Sequence, residues 1–222
     1  MSGDTRTDTG VKRRYDAPKR AAKAAETRRR VIDAAHRSFV EKGYGATTVE
    51  DVAALAGVSR PTVFVSVGGK PELLRQARDI ALAGDDADVP VPQRPQFIEM
   101  WREPDPGRTL DLYARNLREM HGRAAEIETV LQAAAHTDPE LTGLAAEALR
   151  QRRTGAGIVV DSILEKGALR EGLTRASAGD ILFTLAGAET YRQLTGTCRW
   201  TPRHYERWLA AALRRELLGD KD

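Results

Sequence analysis

The sequence predicts an all-α protein, with an N-terminal three-helix unit containing a helix-turn-helix and a larger C-terminal helical body. Three observations carry this. The composition leans to Ala, Leu and Arg, residues that lose little side-chain freedom in a helix. Apolar residues recur at helical spacing along most of the 222 residues. Helix starts are marked repeatedly by an oxygen-bearing cap followed closely by proline, as at Ser59 and Pro61, Asp138 and Pro139, and Thr201 and Pro202.

The chain divides into a basic arm over 1–26, a helix-turn-helix unit over 27–75 and a helical body over 76–222. The arm turns basic at Lys12, Arg13, Arg14, Lys19, Arg20 and Lys23 and sustains no hydrophobic face, so it is expected to be flexible when free and to lie on phosphates when DNA is bound. A first helix is expected over 27–42, with Ile32, Ala35 and Phe39 on one face and Gly43 ending it. Thr48 and Asp51 have the spacing of a capping pair, and a short helix follows over 49–56. Gly57 provides the backbone freedom to leave it. Ser59 then caps a second short helix with Pro61 in its first turn, and Gly68-Gly69 ends it. Two short helices around a glycine turn form either an αα-corner or a unit whose second helix enters a DNA major groove. The polar and small residues Arg60, Thr62 and Ser66, standing where a buried helix needs apolar ones, favour DNA.

Residues 28–74 resemble the DNA-binding domain of TetR-family transcriptional regulators. The resemblance rests on Phe39 to Tyr44, Thr47-Thr48-Val49, Val52 to Ser59, Thr62-Val63-Phe64, Lys70 and Leu73-Leu74. It implies an operator-binding homodimer, most simply a repressor released by a small apolar or aromatic molecule held in the body. The implied DNA-facing residues are Thr48, Ser59, Arg60, Pro61, Thr62, Phe64, Ser66 and Lys70. Arg60 is suited either to guanine's two major-groove acceptors or to a phosphate. Thr62 and Lys70 are implied as phosphate contacts, while Thr48 acts as a cap or as a phosphate donor. Phe64 departs from the family pattern, because it stands where a hydroxyl-bearing aromatic is common and cannot hydrogen-bond phosphate. Ser66-Val67 departs likewise, standing where His-Phe is frequent.

Beyond the head, a fourth helix is expected over 70–83, linking head to body, and 84–95 reads as a proline-rich loop. Helices follow near 96–101, 109–121 and 123–136, then a long one over 139–166, one over 178–194 and a last one from 202. Pro104, Pro106 and Gly107 are read as stops, and Gly155 and Gly157 as interruptions. The basic run Arg150, Arg152 and Arg153 is read as a solvated face. Candidate effector contacts are Phe97, Trp101, Tyr113, Met120, His121, His136, Phe183 and Tyr191. Candidate dimer contacts are Phe183, Tyr191, Tyr205, Trp208, Leu209 and Leu213, although packing inside one subunit explains the same stripe.

Charge and composition limit the alternatives. Residues 1–75 hold 15 Lys and Arg against 9 Asp and Glu, while the remainder holds 20 against 23. The basic end suits an anionic partner. No apolar run reaches the ~18 residues of a membrane span and no apolar signal segment opens the chain, so a cytoplasmic protein without a membrane partner is expected. Cys198 is a lone cysteine, read as a small packed hydrophobe. No phosphate loop, dinucleotide fingerprint, nucleophile elbow or metal-binding His pair is present. Neither an enzyme nor a cofactor or metal is therefore expected. The competing reading is a helical DNA-binding or interaction protein that senses no small molecule.

Overall fold

The computed structural model describes residues 10–167 and 169–219, and the side chains from residue 18 onward. Its helices are α1 (Gly10–Ala46), α2 (Val49–Ala56), α3 (Arg60–Ser66), α4 (Lys70–Ala83), α5 (Pro95–Arg102), α6 (Pro106–Ala134), α7 (Pro139–Lys166), α8 (Arg175–Leu185), α9 (Ala188–Arg192) and α10 (Pro202–Leu218). The elements of the head form for local reasons. Thr48 and Asp51 make the reciprocal capping box, with Thr48 N–H donating to Asp51 Oδ2 at 2.9 Å and Asp51 N–H donating to Thr48 Oγ1 at 3.0 Å. These hydrogen bonds, with Lys42 behind them, lower the Asp51 carboxyl to about 2. Gly57 closes α2 at φ 64, a left-handed position that favours glycine. Gly43, at φ 79, breaks the α1 geometry where the sequence places its end.

Several boundaries differ from the sequence reading. The helix expected from residue 27 begins at Gly10, so 10–26 of the expected flexible arm are helical. Residues 1–9 lie outside the described residues. The two helices expected over 109–121 and 123–136 are one, α6. Gly122 does not break it, because a single glycine inside a helix costs only about 1 kcal/mol, which the packing of α6 outweighs. Pro106 and Gly107 open α6 instead of stopping α5: Asp105 caps, accepting from Arg108 N–H at 2.7 Å, and proline occupies the first turn. Helix α7 runs through Gly155 and Gly157 without a break. The helix expected over 178–194 is divided, because α8 ends at Leu185 and Gly187 caps α9.

Two apolar cores result. One holds Phe39, Val52, Val63, Leu73 and Leu74 of the head and continues into Ile127 and Leu131 of α6 and Leu141 of α7. The other joins α5, α6, α7, α8 and α10 around Met100, Leu110, Ile163, Leu182, Tyr205 and Leu213. The head is therefore seated on one end of the α6–α7 pair. Tyr44 O–H donates to Asp138 Oδ2 at 3.2 Å across this junction, and Lys70 Nζ lies 4.3 Å from the Tyr44 ring centre. Arg123 donates to the carbonyls of Ala81 and Leu82, binding the end of α4 to α6. The 84–95 loop is held by the buried Arg94, which donates to both oxygens of Asp85 at 2.7 and 2.9 Å.

Candidate nucleic-acid interface and effector cavity

Helix α3 is too short to bury both of its faces. Val63 is fully buried and anchors it, whereas Phe64 is 44% and Val65 90% exposed. Ser59 caps it, accepting from Thr62 N–H at 3.3 Å, and the two hydroxyls lie 2.8 Å apart. Pro61 stands exposed in the first turn. Arg60 projects from the same end, paired with Glu50 Oε1 at 2.7 Å, its guanidinium carbon 5.3 Å from the Phe64 ring centre. Both members of this pair are well exposed, so the pair is worth at most about 1 kcal/mol. A bidentate guanine contact supplies about 1–3 kcal/mol of discrimination and competes well against it.

Ser66 is turned back, donating to the Thr62 carbonyl at 2.7 Å, so its hydroxyl serves its own helix. Lys70 Nζ lies 3.4 Å from the Gly45 carbonyl, and desolvation lowers its pKa while Asp138 opposes the shift. Thr48 is exposed and occupied by the capping box. Val65 is the residue that sequence reasoning passes over. The signal was present in the run Val63-Phe64-Val65, because a two-turn helix docked through Val63 must leave its neighbours outside.

In the body, α4, α5, α6, α7 and α8 enclose a cavity of about 570 Å³, within the range of ~300–1,000 Å³ usual for ligand sites. Six of the eight candidate effector residues line it: Phe97, Trp101, Tyr113, Met120, His121 and Phe183. His136 and Tyr191 do not. His136 is exposed in the turn that follows α6, two residues beyond its end. Tyr191 stands behind the wall, edge-on to Tyr205 with ring centres 4.8 Å apart and 5.7 Å from His121.

The cavity's charged residues were not foreseen. Arg78 of α4 donates through Nε to Glu128 Oε1 of α6 at 2.7 Å, and both residues line the cavity. Burial pushes the Glu128 carboxyl pKa up although Arg78 pulls it down. Arg152, read from the sequence as part of a solvated face, turns inward instead. Its guanidinium carbon lies 4.1 Å from the Phe183 ring centre and Nη1 donates to Glu189 at 2.8 Å. Arg150 and Arg153 do remain outside, paired with Glu147 and Asp180. Cys198 is exposed rather than packed, at the end of the π-helical stretch Gln193–Thr197 that follows α9.

The dimer stripe needs a similar correction. Tyr205, Leu209 and Leu213 are fully buried and Tyr191 nearly so within one subunit, because α10 presents that face to α6. Phe183 is turned to the cavity. Trp208 alone among those six stands beside the shallow groove between α8 and α10, with Ile181, Leu185, Arg215 and Glu216. Its exposure is partial.

A model of the bacterial regulatory proteins of the tetR family matches residues 31–77. Over those residues this chain is similar to that family. The transcriptional regulator SrpR of Pseudomonas putida is 46% identical over 59 residues, which cover 27% of this chain and 28% of SrpR. The match therefore spans little more than a quarter of that curated relative, and it falls to 41% over 56 residues for TtgR of Pseudomonas putida. Over almost the whole body the likeness is one of fold. NalD, the secondary repressor of the MexAB-OprM multidrug efflux pump in Pseudomonas aeruginosa, superposes with a TM-score of 0.68 at 22% identity, covering 89% of this chain and 100% of NalD. These relatives are regulators rather than enzymes. Among the described residues, no helix is long and apolar enough to cross a membrane.

Proposed function

We propose that the protein is a DNA-binding transcriptional repressor that acts as a homodimer and leaves its operator when a small, largely apolar molecule enters the body cavity. The observation that carries the DNA reading is the outward face of α3, where Arg60, Phe64 and Val65 stand exposed on a helix anchored by Val63 alone. Arg60 reads a base edge, and Phe64 and Val65 contact sugar or thymine methyl groups. Ser59, Pro61 and Thr62 border the backbone, with Thr48 and Lys70 flanking it. Ser66 supports α3 from within. The groove between α8 and α10 is the subunit contact, with Trp208 and Ile181 at its centre. Direct sensing is supported over a purely architectural role by the size of the cavity and by its position: α4, which leads to the head, forms part of its wall.

Selection of bound fragments from a random duplex pool, followed by anisotropy titration, tests the reading. Arg60→Ala is expected to weaken the selected operator by about 2 kcal/mol and to relax preference at one or two base pairs. Equal weakening on every duplex assigns Arg60 to phosphate, and the absence of any selected sequence overturns the regulator reading.

A further inference from the structure

The cavity wall contains one acceptor with nothing to accept from. His121 lines the cavity and is only 4% exposed. Its Nε2 lies 3.0 Å from the Ala186 carbonyl oxygen. A carbonyl only accepts, so Nε2 carries the proton and Nδ1 keeps a bare lone pair. That Nδ1 has no hydrogen-bond partner and is fully buried. Burial also holds the ring neutral, lowering its pKa to about 4. The Arg152 guanidinium is near enough to act on both His121 and Tyr113, and its own Nε has no partner. These three residues form a polar corner in walls otherwise dominated by Phe97, Trp101 and Phe183.

Charge decides what that corner accepts. Arg78 is matched by Glu128 and Arg152 by Glu189, so neither guanidinium on the wall awaits an anion. An unsatisfied buried acceptor costs about 1–3 kcal/mol, which an arriving donor relieves. We propose that the cavity takes a neutral, largely aromatic molecule bearing one hydroxyl or N–H donor, and that His121 Nδ1 accepts that donor. A hydroxyl fits the corner best, since it donates to His121 and still has lone pairs for the Arg152 Nε–H. Because Nδ1 is buried, the side chains over it give way as the donor arrives, while the Nε2 bond to the Ala186 carbonyl holds the ring. The inference rests on the effector-cavity reading above and assigns the class of molecule to it.

The test compares 4-phenylphenol with its methyl ether, 4-methoxybiphenyl, by calorimetric titration of the full chain without DNA. The two probes share their rings and differ in the donor. The phenol is expected to bind about tenfold more tightly than the ether. His121→Phe, which keeps a flat ring and removes the acceptor, is expected to abolish that preference while leaving the ether bound. His121→Gln, which restores a side-chain acceptor, is expected to recover part of it. Equal affinities for the two probes on the unaltered chain overturn the proposal, as does failure of both to bind, and neither outcome depends on the variants folding. An equal loss of both probes in His121→Phe reduces His121 to a packing residue. Operator retention is followed in parallel, by anisotropy of a labelled duplex with the same protein and probes. Retained DNA binding with no phenol preference sinks this inference alone, whereas phenol preference with no release of operator sinks the release reading alone.

Discussion

Head and body place their awkward residues in opposite ways. The head puts apolar side chains where water reaches them, Phe64 and Val65 on α3, and caps its two short helices with partners three residues away. The body draws aromatic rings inward around a void and pairs charges across the chain, Arg78 with Glu128 in the interior and Arg152 with the exposed Glu189. Exposed apolar residues on a short, well-capped helix contribute nothing to folding and point to a partner outside the molecule. Burying the Arg78–Glu128 pair costs desolvation, which its mutual pairing offsets, and the void beside it is of a size that suits a ligand. On the function proposed above, the exposed face of α3 is met by a surface and the cavity by a small molecule.

The sharpest way to break this contrast is to remove one buried partner in the body. Glu128→Leu leaves Arg78 buried beside the exposed Asp79 alone, and is expected to lower unfolding stability by about 3–5 kcal/mol in denaturant titration. Adding Arg78→Met is expected to recover much of that loss, because the stranded charge is then gone. If the double variant is no better than the single, the pair is not a charge effect and the contrast weakens.

A second difference is expected in the response to pH. His121 is neutral when folded, with a pKa of about 4 against an ordinary 6.5. The unfolded chain therefore binds the extra proton first. The stability attributable to this group is complete above about pH 6.5 and falls, by up to about 1.4 kcal/mol per unit, as pH drops towards 4. Urea midpoints for His121→Phe are expected to be flatter between about pH 7 and pH 5 than those of the unaltered chain. Matching slopes remove His121 from the pH response.

The smallest stability effect belongs to the head. Val65→Ser is expected to change unfolding stability by no more than about 0.5 kcal/mol, as for other surface sites. The same change is expected to weaken the selected operator. A clear loss of stability, with operator affinity intact, makes Val65 structural and removes the contrast at its most exposed point.

What was legible in the sequence follows from the range of the interactions involved. The capping box at Thr48 and Asp51, the glycine turn at Gly57 and the Ser59 cap all act within a few residues, so their spacing alone defines α2 and α3. The cavity aromatics were visible as a set because six of the eight candidates do line it, but nothing local separates Tyr113, which lines it, from Tyr191, which stands behind. Likewise Arg152 reads like its neighbours Arg150 and Arg153 until the helix phase turns it onto Phe183.

Taken by itself, the sequence determined that the chain is helical and where the head's short helices begin and end. Only the tertiary structure decided that α6 runs unbroken through Gly122, that Tyr205, Leu209 and Leu213 serve one subunit's core, and that Glu128 and Arg152 border a void. The reason is distance along the chain. Helix caps and turns are selected by neighbours, whereas His121 finds Ala186 and Arg78 finds Glu128 only after the helices have packed, 65 and 50 residues apart.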